Sequence, residues 1–69
     1  MGKNLRRGKM NVILENLKEA ERQGHSVNRE KLIAYYCFKF DAARRTIIDY
    51  IRACEAHAEL KINWAANGN

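Results

Sequence analysis

No proline occurs among the 69 residues, and the chain has two cysteines, Cys37 and Cys54, and one serine, Ser26. The missing proline means that no helix is broken by a residue without a backbone N–H. Two cysteines are too few for the disulfide framework of a small secreted scaffold, so reduced thiols and an intracellular protein are expected. No spacing assembles a nucleophile, a base and an orienting group, and no enzyme is expected either. Long apolar runs are also missing: nothing approaches the roughly 20 residues that span a bilayer. The N-terminus is basic and then apolar, but Asn11, Glu15 and Asn16 interrupt the apolar part and no small-residue cleavage site follows, which argues against a signal peptide.

Hydrophobic residues make up 46% of the chain and charged residues 30%, a balance that folds rather than staying disordered. A chain this short buries only roughly 60% of its unfolded surface around one small core, so a single domain is expected. Thirteen Lys and Arg against eight Asp and Glu leave a formal charge of +5 and a pI near 9.6. That excess favours polyanionic partners, nucleic acid first.

The charge is uneven. Residues 1–9 hold Lys3, Arg6, Arg7 and Lys9 and no acid, and read as a flexible basic arm ahead of a domain over 10–64 and a disordered tail over 65–69. Met10, Ile13, Leu14 and Leu17 recur at helical spacing and predict a first helix to Gln23, with Gly24 as a left-handed stop. His25 to Val27 suffices only for an edge piece, after which Asn28 caps a second helix from Arg29 to Phe40. Its stripe is Leu32, Ile33, Tyr36, Cys37 and Phe40. Beyond a break at Asp41-Ala42-Ala43, the residues Ile47, Tyr50, Ile51, Cys54 and Ala58 mark the inner face of a third helix. Leu60 to Trp64 alternates apolar and polar, as a half-buried strand does. Its partner is the Val27 region, another subunit, or a segment of a longer parent protein; Asn67-Gly68 then signals a hairpin.

The informative stretch is Ile33 to Arg52, IAYYCFKFDAARRTIIDYIR. Small Cys37 lies where two helices joined by a tight turn must approach, Asp41 occupies the turn, and Ile47 and Tyr50 return the next helix to the same core. These are the constraints of a helix-turn-helix. At these positions the chain resembles winged-helix transcription regulators, especially small ones of archaeal and viral type, with a similar element order from Met10 to Trp64. It departs from them with Asp41 where the turn usually has glycine, and with His57-Ala58-Glu59 where a glycine often precedes the next strand. The resemblance implies a mainly α fold: a three-helix helix-turn-helix core with a short C-terminal β element, winged-helix-like with a truncated wing. It further implies sequence-specific binding of double-stranded DNA in transcription regulation, with the third helix in the major groove, no cofactor, no small-molecule substrate, and a cytoplasmic, nucleoid-associated location. Such proteins are commonly dimers, and Trp64, Ile62 and the first helix are the expected contact of a homodimer.

With the inner face so assigned, the helical period turns Arg44, Arg45, Ile48, Asp49 and Arg52 outward. Arginine can donate two hydrogen bonds to guanine, Asp49 can accept from a cytosine amine, and Ile48 can touch a thymine methyl. Thr46 and Lys39 are placed for phosphates. Arg6, Arg7 and Lys9 would follow a phosphate track or enter the minor groove.

Each feature has a plainer explanation. An Arg-Arg pair opening a helix is often only a solvated surface, and basic termini often bind nothing specific. Tyr35, Tyr36, Phe38 and Phe40 at helical spacing are more often core than a stacking platform for single strands. Cys54 and His57 lack the knuckle spacing of a zinc site. Buried thiols explain Cys37 and Cys54 better than a disulfide. The competing function is a protein-interaction module of winged-helix type, docking through Ile48, Phe38 and Trp64; RNA binding is third.

Overall fold

Apolar residues three and four apart build three helices: α1 over Gly2–Gln23, α2 over Arg29–Phe40 and α3 over Arg44–Ala58. The computed structural model describes the backbone of residues 2–65 and the side chains of residues 7–65. Helix α1 therefore starts well before Met10, and the segment read as a flexible arm is, from Gly2, its first turns. A helix once nucleated extends through residues of adequate propensity without needing a buried partner, and Gly8 is the only residue of 7–9 that weakens it. Gly24, at φ +70°, ends α1 in the left-handed conformation expected of it.

The borders of α2 follow local chemistry. The Asn28 side chain accepts from Lys31 N–H at 3.0 Å, satisfying one of the donors that a helix start leaves open. At the other end Asp41 adopts φ 53° and ψ 49°, and its N–H bonds to the carbonyl of Cys37. Aspartate tolerates this region better than most side chains, though less freely than glycine. Asp41-Ala42-Ala43 is thus a three-residue turn between α2 and α3. Helix α3 ends at Ala58, where Glu59 repeats the left-handed geometry at φ 53°.

Ile13 and Leu17 of α1, Ile33 and Tyr36 of α2, and Ile47, Ile51 and Cys54 of α3 form the buried core, and among the described residues no charged side chain is buried with them. The Tyr36 ring stacks on Phe40 at 5.4 Å, and its hydroxyl accepts from the Asn16 amide. Both cysteines are free thiols, Cys54 buried and Cys37 half-buried.

The expected C-terminal strand does not form; among the described residues there is one isolated parallel bridge, Val27 with Trp64, and no strand. Leu60 and Ile62 are half-buried while Lys61 and Asn63 are exposed, so the alternation is real but records burial, not a ladder. Lys61 N–H is taken by the Glu21 carboxylate at 2.7 Å. The segment is held instead by Val27 N–H to Asn63 O and Ala65 N–H to Val27 O, both 2.8 Å. The Trp64 indole N–H donates to Glu55 at 2.9 Å, and the Arg29 guanidinium lies 5.1 Å from its ring centroid. Ala65 is thereby part of the fold, whereas the rest of the expected tail and the Asn67-Gly68 hairpin lie outside the described residues.

Burial pushes the Tyr36 phenol and the Cys54 thiol above their ordinary values of 10.0 and 9.0. Folding holds both protons at a pH where the unfolded chain has released them. Stability is therefore full below these values and falls as pH rises through them. Thermal melts should show Tm dropping above about pH 9, and Cys54→Ala should flatten the first part of the drop; an unaltered profile would contradict the assignment. At the turn, Asp41→Val should cost about 1–2 kcal/mol in urea unfolding, while Asp41→Gly should be neutral or stabilising. Equal effects of the two would mean that the left-handed turn is not maintained in solution.

Candidate nucleic-acid interface

The three buried residues of α3, Ile47, Ile51 and Cys54, follow i, i+4, i+7 spacing and define one inward stripe. At about 3.6 residues per turn the opposite stripe is Arg45, Asp49, Arg52 and Ala56, flanked by Ala53, and all five are exposed. Among the described residues no ion pair engages Arg45 or Arg52; the pairs present are Lys18–Glu15, Arg22–Glu19 and Arg44–Glu30. The first turn of α3 has no acid, and Ala43 offers it no side-chain cap. Open N–H groups and the positive end of the helix dipole thus add to the two arginines there.

The other sequence-derived positions separate from this stripe. Arg44 is exposed but reaches back to α2, its Nη2 lying 2.7 Å and 2.8 Å from the two Glu30 oxygens. Ile48 packs half-buried against the core, and Thr46 is half-buried as well. Lys39 is exposed, with its Nζ 5.9 Å from the Tyr35 ring centroid. Lys9 lies with its Nζ 6.0 Å from the Phe40 ring centroid, beside the end of α2. Arg6 falls outside the residues whose side chains are described. The structure therefore brings together Arg45, Asp49 and Arg52. Ala53 and Ala56, missed in the sequence, continue the same face, and extending the helical period beyond Arg52 finds them.

Arg7 lies apart, where α1 and α3 leave an open groove of about 550 Å³. Its exposed lining is Arg7, Asn11, Ala53 and His57; its less accessible lining is Met10, Leu14 and Cys54. Cys54 Sγ is 3.5 Å from the Met10 carbonyl, which fixes how closely the two helices approach at the groove.

Of the residues suited to protein docking, Phe38 is 91% exposed, with Tyr35 beside it on α2. Ile48 and Trp64 are instead half-buried against the chain's own core, as is Ile62 from the expected dimer contact. Among the described residues no group of three or more His, Cys, Asp or Glu side chains could hold a metal ion, and no helix is long and apolar enough to cross a membrane. Comparison with known proteins finds no family model, no curated protein and no solved structure that matches the chain.

Proposed function

We propose that this protein binds double-stranded DNA in a sequence-specific manner, with α3 in the major groove, and that it acts in transcription regulation. The observation that carries this reading is the stripe Arg45, Asp49, Arg52, which stands clear of the molecule on a helix that follows a three-residue turn. Arg45 and Arg52 are free to fork onto guanine O6 and N7, and Asp49 between them can accept from a cytosine amine. The small side chains of Ala53 and Ala56 allow the helix backbone to approach the base edges closely. Lys39 and Lys9, near the turn, add positive charge for phosphates.

A second reading is favoured by one observation, the almost complete exposure of Phe38 beside Tyr35: an apolar docking patch on α2 for another protein. The two differ in salt response. Phosphate contacts make log K fall linearly with log salt, whereas an apolar patch is nearly indifferent to it.

Selection of bound duplexes from a random pool at near-physiological salt is expected to converge on a motif. Arg45→Ala and Arg52→Ala should each lose about 1–3 kcal/mol for the selected duplex and relax preference at one position. Arg44→Ala should lose less, because Glu30 already holds that guanidinium. A pool that stays random after repeated rounds would remove the DNA assignment, and binding of a protein partner abolished by Phe38→Ala would replace it.

A further inference from the structure

Resting on the placement of α3 in a major groove, we infer that the open groove between α1 and α3 seats one strand of the DNA sugar-phosphate backbone, with Arg7, Asn11 and His57 as the donors to phosphate. A helix lying in a major groove about 12 Å wide has a phosphate strand along each side. The two flanks of α3 differ in how well they suit that neighbour. One carries Arg44, Ile48 and Glu55 at helical spacing, and its single cation is already paired with Glu30. Its other charged group is an acid, which repels a phosphate.

The opposite flank borders the groove. There Ala53 and His57, four residues apart on α3, face Arg7 and Asn11, four apart on α1. Among the described residues no acid lines the groove. The four side chains are exposed, so none has to leave the core to meet a ligand. A guanidinium, a primary amide and an imidazole can each donate to a phosphate oxygen, and the small Ala53 keeps the wall between groove and reading stripe low. Met10, Leu14 and Cys54 supply an apolar floor, suited to the carbon face of a deoxyribose. Helix α1 is thus assigned a part in DNA binding that involves no base edge: it fixes the register of α3 along the duplex.

The test uses a mixed-sequence duplex, for which phosphate contacts supply essentially all the affinity, in anisotropy titrations at several salt concentrations. Arg7→Ala should weaken binding about tenfold and reduce the slope of log K against log salt by about one contact, roughly 0.9. His57→Gln should weaken it less. Asn11→Asp, which places an acid in the groove, should weaken binding, and Asn11→Lys should strengthen it and steepen the slope. Circular dichroism melts of each variant establish that the fold is kept. Wild-type affinity and slope in both Arg7→Ala and Asn11→Asp, with Arg45→Ala still impaired on the selected duplex, would overturn the groove assignment while leaving the role of α3 intact. Failure of the unmodified protein to bind any duplex would overturn both.

Discussion

Ile47, Ile51 and Cys54 fix the rotation of α3 about its own axis, and everything exposed on that helix is exposed as a consequence. They pack against Ile13 and Leu17 from one side and Ile33 and Tyr36 from the other. The seven buried residues among those described are a small core for three helices, so each is worth a large share of the net stability. Rolling α3 by one residue would bury an arginine and expose an isoleucine, each a penalty of several kcal/mol on a fold of this size. The polar stripe is in this sense specified by its apolar opposite.

The turn and the C-terminal segment hold that arrangement by different means. Asp41 closes α2 through backbone geometry, with its left-handed φ and its bond to Cys37. Residues 60–65 close the other end through side chains as much as backbone: Glu21 takes the Lys61 N–H, and Glu55 the Trp64 indole. The carboxylates of Glu21 and Glu55 thus accept structural hydrogen bonds. They tie the C-terminal segment to α1 and α3 without any sheet.

The three-helix core was legible where local chemistry decides the outcome. Asn28 as a cap, Gly24 as a stop and the three residues after Phe40 each have a short-range physical cause, and the borders of α2 and α3 follow from them. The start of α1 was not legible, because residues 2–9 carry no apolar residues at helical spacing and so leave no periodic trace. Alternation from Leu60 to Trp64 predicts a strand because a period-two pattern carries no information on pairing, and among the described residues only the bridge between Val27 and Trp64 forms. On α3 the outward period found Arg45, Asp49 and Arg52. Arg44 and Ile48 lie on the side toward α2, where Arg44, though exposed as expected, meets Glu30, and Ile48 packs half-buried against the core. The groove was out of reach, since it exists only once α1 lies beside α3, and nothing along the chain announces that Arg7 and His57 will be neighbours.

Trp64 is the sole tryptophan of the chain, and it is seated far in sequence from the arginines of the outward stripe. Its emission therefore reports whether the C-terminal clasp is closed, under the influence of one cation above the ring and one carboxylate at its nitrogen. The molecule carries a built-in optical gauge of its own integrity, seated in the segment that ties α1 to α3.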